Sequence, residues 1–168
     1  RFLSPLPGQD SFLKSFIPDP PHYLINPPET VVRNLNDRFQ SDADAMRYFT
    51  MVYGVIDLSN DRVRLTQAGH PAPFHQRGQT VTEIGMGGFP VGMLPGMEYE
   101  SEEFDFHPGD RLVLYSDGIS ECENPEGEQF SSERLAALLG NKNALSLQCT
   151  VKGIEHRLRR WRGIDSFD

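Results

Sequence analysis

From Tyr48 to Tyr115 the chain is a succession of short apolar runs separated by turn residues, and that pattern decides its fold class. Residues 48–57 are apolar or aromatic at nearly every position, as in a strand covered on both faces. Ser59-Asn60-Asp61 then makes a turn. Val63 and Leu65 alternate with Arg62, Arg64 and Thr66, which gives a hairpin partner. Further strands are predicted at 73–76 and 80–84 around an Arg77-Gly78 turn, over EYESEEFDF, and over RLVLYS after the turn His107-Pro108-Gly109-Asp110. With 15 glycines, 13 prolines and 38% hydrophobic residues among 168, turns and short strands are expected rather than a helical bundle. The length suits one domain with its own core.

Helical periods flank this β region. In INPPETVVRNLNDRF, Asn26 is placed to cap, Pro27 and Pro28 sit where a first turn tolerates proline, and Val31, Val32, Leu35 and Phe39 form one stripe. The spacing predicts a helix over 28–40. A second helix is predicted from Ser131 or Ser132 through Leu139, closed by Gly140, with Leu135, Leu138 and Leu139 inward. A third runs from Ser146 to Trp161, where Leu147, Val151, Ile154, Leu158 and Trp161 make a packing stripe. Residues 1–25, broken by Pro5, Pro7, Pro18, Pro20 and Pro21, read as irregular. Six or seven strands with three helices indicate an α+β domain with an antiparallel, hairpin-rich core.

Sixteen basic against 24 acidic residues leave a net charge of −8. That balance disfavours nucleic acid and suits a divalent metal or a basic partner. Cys122 and Cys149 have no metal spacing and form no disulfide framework, so a reducing, cytoplasmic setting is expected. No apolar run reaches the length of a membrane span, and no membrane association is expected.

The candidate chemistry centres on LVLYSDGISECENPEGEQF, Leu112–Phe130. An apolar strand there stops at Ser116-Asp117-Gly118, and a carboxylate on rigid backbone at a strand end suits a hard cation. Ser-Asp-Gly is also ordinary turn chemistry, and one aspartate needs partners to hold an ion. Asp165 and Asp168 in GIDSFD are candidates, against the reading of a solvated tail. Asp10 is a weaker one. Glu121 and Glu123 are placed to support a site through water or hydrogen bonds, or to be surface acids. His70, in QAGHPAPF, reads as a base or ligand or as a residue that fixes a loop. GMGGFPVG, Gly85–Gly92, has glycines enough for its amides to approach an anion, without a P-loop or dinucleotide pattern.

Taken in order, AGHPAPF, GGFPVGMLPGMEYE and FHPGDRLVLYSDGISECENPEGEQF resemble the SpoIIE/RsbU-type branch of the metal-dependent (PPM) serine/threonine protein phosphatases, from about Leu35 to Phe130. The resemblance implies an α-β-β-α sandwich of two packed antiparallel sheets flanked by helices. It implies two Mn²⁺ or Mg²⁺ ions, a metal-activated water that attacks phosphoserine or phosphothreonine, and a metal-ligand role for Asp117. Gly118, Glu121 and Asn124 match positions with supporting roles, and His70 matches a motif residue that is not usually a ligand.

Two departures stand out. The family's Asp-x-Ser-Gly-His-Gly segment, which carries its first metal aspartate, is not in this chain. Only GQDSF stands between SPLPG and LKSF, so residues are expected to be missing near positions 7–13. The family's terminal Asp-Asp-(Val/Ile)-(Ser/Thr)-Leu-Leu is met only by Asp168, which is either its first acid or the residue before it.

Two classes of function follow from the resemblance. The first is a phosphatase acting on a phosphorylated anti-sigma-factor antagonist in a bacterial partner-switching or two-component pathway. Residues 1–168 would be the single C-terminal output domain of a longer protein, behind a receiver or sensor, with homodimerisation open. The other is a catalytically inactive phosphatase-like adaptor that binds a sigma factor or another regulatory partner.

Overall fold

The computed structural model describes residues 11–40, 48–141 and 146–163, and the chain divides into two compact units. One unit is Arg1–His70 with Gly85–Phe106; the other is Pro71–Ile84 with His107–Asp168. The described residues form eight strands and four helices, the expected mixture of antiparallel sheets and helices.

In the first unit, β1 (Lys14–Phe16) pairs antiparallel with β2 (Tyr23–Ile25). An ordered hairpin therefore stands where the prolines suggested irregular chain. Pro18, Pro20 and Pro21 fall between the strands, where no ladder amide is missed. α1 (Pro28–Phe39) matches its predicted span, and it buries Val31 and Val32. Its cap differs from expectation: Pro27 is the N-cap residue. Asn26 instead ties the hairpin together, donating to the Ser11 and Phe12 carbonyls and accepting from the Ser15 hydroxyl at 2.6 Å.

α1 packs on a three-stranded sheet, β3 (Met51–Asp57), β4 (Arg62–Ala68) and β7 (Ser101–Asp105), with β4 in the centre. The alternation read in β4 holds over its first half, with Val63 and Leu65 buried while Arg62 and Arg64 face out. It is corrected at Thr66, which is fully buried, as the central strand is covered on both faces from Leu65 to Ala68. The β3 expectation is corrected. This strand is an edge of its sheet, none of its residues is fully buried, and Ile56 is 49% exposed. The following turn is organised by Asp57, whose Oδ1 accepts from the Ser59 amide and hydroxyl and whose Oδ2 accepts from Asn60. The Ser59 hydroxyl above all, with Asn60, holds that carboxyl down at about 2.

The glycine motifs of this unit are places of close backbone approach. Gly69 donates its amide to the Gly88 carbonyl at 2.8 Å. A Cβ on Gly88 would lie 2.6 Å from the Gln67 carbonyl oxygen, and Gly88 has φ +131°. Four of the loop amides are satisfied from within the unit: Gly85 by Glu102 Oε2, Gly87 by Gln67 Oε1, Val91 by the Phe49 carbonyl, and Gly92 by Asn36 Oδ1. They are therefore engaged with the fold's own acceptors rather than grouped around an anion. Asn36, fully buried in α1, also donates to the Leu94 carbonyl at 3.0 Å and so pins the loop to the helix.

In the second unit, β6 (Thr80–Glu83), β5 (Phe74–Arg77) and β8 (Arg111–Val113) form an antiparallel sheet with β5 central. Three helices follow: α2 (Asp117–Ser120), α3 (Ser132–Gly140) and α4 (Leu147–Arg162). Phe74, Tyr115, Phe130, Leu135, Leu139 and Leu158 make the core. Three expectations are corrected. The strand RLVLYS keeps ladder geometry only through Val113, and Leu114 is 53% exposed. Gly140 is the last residue of α3 and Asn141 caps it; a Cβ at position 140 would meet the Gln79 carbonyl at 3.0 Å. The α4 stripe is buried only at its far end. Leu158 is covered, whereas Leu147 and Val151 are exposed, and Val151 borders an open apolar groove of about 310 Å³ with Leu114 and Ile119.

Replacing Gly88 with alanine is expected to cost roughly 2–4 kcal/mol, from the strained φ and the overlap with a backbone oxygen that cannot yield. Urea denaturation of Gly88→Ala beside wild type measures it. A loss under about 0.5 kcal/mol would show that the loop relaxes away from the Gln67 carbonyl.

Candidate functional site around Asp117

Asp117 is the first residue of α2, a single four-residue turn of helix separated from the end of β8 by three residues. Ser116 precedes it in extended conformation, so the chain turns sharply at the aspartate. The side chain is exposed, and Oδ1 accepts from the Gly118 amide at 2.8 Å. Gly118 has ordinary negative-φ geometry, and a Cβ there would touch nothing closer than the Ser116 hydroxyl at 3.6 Å. Nothing in the fold demands glycine at this position.

The loop behind α2 is built by Asn124. Its Oδ1 accepts from the Glu126 amide at 3.1 Å and from the Glu128 amide at 2.7 Å, and its own amide bonds the Glu128 carbonyl. Glu123 bridges to Gln129 across the same loop. Glu121 is exposed and caps α2 through its amide, which donates to the Asp117 carbonyl at 2.8 Å. Tyr115, just before the turn, stacks on Phe74 with centroids 5.4 Å apart. Burial, aided by Glu83 and Glu133, pushes its phenol up.

The structure thus brings Asp117, Gly118, Glu121, Glu123 and Asn124 onto one short helix and its loop. His70 lies in the first unit, where Nδ1 is 3.3 Å from the Thr50 hydroxyl and its carbonyl accepts from Gln67 Nε2 at 2.5 Å. Asp10, Asp165 and Asp168 lie outside the described residues, as do positions 7–10 where residues are expected to be missing. In kind, the Asp117 carboxylate fits a hard divalent cation. In number, no group of three or more His, Cys, Asp or Glu among the described residues is placed to hold a metal ion.

Sequence reasoning missed a charge cluster built around a buried aspartate in the same unit. Asp110, read only as a turn residue, has a side chain 5% exposed. It accepts from Arg77 Nε at 3.0 Å and Nη2 at 2.7 Å, from His75 Nε2 at 3.0 Å, and from the His107 amide at 2.9 Å. Arg77 foremost holds this carboxyl well below the usual carboxylate range. The signal was present: His75 and Arg77 project from one face of a strand whose partner follows directly on Asp110.

The fold defines the class of protein. The SiaA-PP2C domain of Pseudomonas aeruginosa matches with a TM-score of 0.72 at 16% identity, covering 82% of this chain and 55% of that one. The PP2C phosphatase domain of the cell-fate determinant SpoIIE from Bacillus subtilis, solved with a fragment of its regulatory domain, matches with a TM-score of 0.67 at 20% identity, covering 82% and 40%. This is a PP2C-type fold. The family model of stage II sporulation protein E (SpoIIE) matches residues 17–168, and the chain belongs to that family. Phosphoserine phosphatase RsbU of Bacillus subtilis is 30% identical over 145 residues, 84% of this chain. The chain spans 42% of RsbU's length. No helix among the described residues is long and apolar enough to cross a membrane.

The depressed Asp110 carboxyl gives a signed pH dependence. A carboxylate whose folded pKa lies below its unfolded value of about 3.9 stabilises fully above that pH and progressively less as pH falls through and below it. Asp110→Asn is therefore expected to lose about 1.5–3 kcal/mol at pH 7 and to approach wild type below about pH 4. Urea titrations at pH 7, 5 and 3 read this. A gap that stays constant with pH would contradict the ionised cluster.

Proposed function

We propose that this chain is a metal-dependent serine/threonine phosphoprotein phosphatase. Its substrate is a phosphorylated anti-sigma-factor antagonist, and it works as the output module of a bacterial partner-switching pathway behind a receiver or sensor domain. The observation that carries this reading is the placement of Asp117. An exposed carboxylate opens a sharp strand-to-helix turn, in a member of the SpoIIE family that is 30% identical over 145 residues to a protein named a phosphoserine phosphatase.

The chemistry asked of the chain is to hold hard cations beside a phosphoryl group. When bound, Mn²⁺ or Mg²⁺ neutralises phosphoryl oxygens and lowers the pKa of a coordinated water. Asp117 is the ligand proposed among the described residues, with acids outside them, Asp168 foremost, completing the set. Gly118 supports the aspartate: its amide orients Oδ1, and its missing side chain, which no packing explains, leaves the approach to that carboxylate open. Asn124 keeps the loop behind α2 in shape, and a negatively charged chain favours cations near the site.

The test is Mn²⁺-dependent release of phosphate from a serine-phosphorylated antagonist protein by the full chain. Asp117→Ala is expected to lose roughly a hundredfold or more in kcat, the scale on which removal of a direct charge-stabilising contact registers. An unchanged rate in that variant would remove Asp117 from the mechanism. Wild type that binds the antagonist or a sigma factor yet releases no phosphate would place the chain with the adaptors instead.

A further inference from the structure

Trp161, the chain's one tryptophan, sits near the end of α4 and is half-buried. Its Nε1–H donates to the Cys122 carbonyl at 3.0 Å. Its ring meets Phe130 edge-on, with centroids 5.7 Å apart. The Arg134 guanidinium lies over the indole, 4.6 Å from its centroid. Arg134 also donates to the Gln129 carbonyl at 2.7 Å and the Phe130 carbonyl at 3.3 Å, and pairs with the Glu128 carboxylate. One stack therefore grips both ends of the loop from Cys122 to Phe130.

That loop begins where α2 stops. The Cys122 carbonyl that receives the indole also receives the Phe130 amide at 2.8 Å, and the Ser131 amide donates to the Ser120 carbonyl at 2.8 Å. Four residues of helix cannot hold their own shape in water, so the aim of Asp117 is set by what anchors α2: buried Tyr115 before it, Ile119 packed on the core, and the chain behind it. The α4 terminus lies close to the same loop: a Cβ on Gly163 would come within 3.1 Å of Pro125 Cγ. Packing explains why an aromatic ring stands at position 161. It does not explain a ring nitrogen aimed at a carbonyl that already has a backbone donor.

We infer that Trp161, braced by Arg134, is a positioning residue for Asp117: it fixes the C-terminal end of α2 and thereby the direction of the carboxylate. This rests on the reading of Asp117 as the metal-binding acid of a phosphatase. A phenylalanine at 161 keeps an aromatic ring for packing and lacks only the donor. Arg134→Met keeps a straight apolar stem over the indole and lacks the charge and the fork.

The test compares wild type, Trp161→Phe and Arg134→Met as full chains, by hydrogen–deuterium exchange and by Mn²⁺-dependent phosphatase kinetics. Exchange at residues 118–122 is expected to quicken about tenfold in both variants, while α3 and β5 keep their protection. The kcat is expected to fall about tenfold and half-saturating Mn²⁺ to rise by a similar factor, the scale for partners that orient a metal ligand. KM for the phosphoprotein should stay unchanged. Unaltered exchange and kinetics in both variants overturn the proposal. So does a loosening spread over the whole unit, which is what lost packing alone produces. If wild type shows no Mn²⁺-dependent hydrolysis, the phosphatase reading fails, and local exchange at 118–122 still decides whether Trp161 positions α2.

Discussion

Two N–H groups converge on one carbonyl oxygen, that of Cys122, from the Phe130 amide at 2.8 Å and the Trp161 indole at 3.0 Å. The candidate site hangs on that point. β8 ends at Val113, and α2 is only one turn, so neither element alone can fix the direction of a side chain between them. The Cys122 carbonyl closes the chain behind α2 into a small loop, and Phe130, 1% exposed, seats that loop in the core. Asp117 then stands at the open end of a structure that is rigid behind it. In water an exposed aspartate samples many directions; here the backbone that carries it cannot.

The other family-like motifs serve the fold itself. Gly69 and Gly88 hydrogen-bond to each other at 2.8 Å, and neither has room for a side chain: a Cβ on Gly69 would meet the Pro90 ring and one on Gly88 the Gln67 carbonyl, each at 2.6 Å. Gln67 spans the gap, with Nε2 on the His70 carbonyl and Oε1 on the Gly87 amide. Asn36 fastens the same loop to α1 from the buried side. In the second unit, the Pro-Gly-Asp turn places Asp110 opposite Arg77, next in register after the Gln76–Arg111 pair. These residues read in sequence as loop, turn and surface chemistry. Their common physical role is to satisfy buried polar groups where short strands leave many backbone ends to cover.

Much of the fold was legible because its signals are local. The proline-led apolar stripe gave α1 to within a residue, and turn residues separated β4 through β7 correctly. What was not legible depends on neighbours far away in the chain. The apolar run of β3 looks like a core strand, yet the strand sits at a sheet edge, a fact set by pairing order and not by composition. The β1–β2 hairpin was hidden because its prolines fall in the loop rather than the ladder. Gly140 marks the end of α3 as its last helical residue, but the close approach of the Gln79 carbonyl across the unit could not be read from it. For the site, Asp117 could be singled out from its strand-turn setting. Trp161 and Arg134 could not, because a tryptophan at helical spacing reads as core, and its hydrogen bond reaches 39 residues back.

The role of Asp117 as a ligand for a divalent cation is tested most directly by metal binding, without reference to any substrate. Electron paramagnetic resonance of Mn²⁺ titrated into the full chain distinguishes bound from free ion. Wild type is predicted to take up Mn²⁺ saturably, with Asp117→Asn weakened about tenfold or more. Equal uptake by the two proteins would contradict the claim.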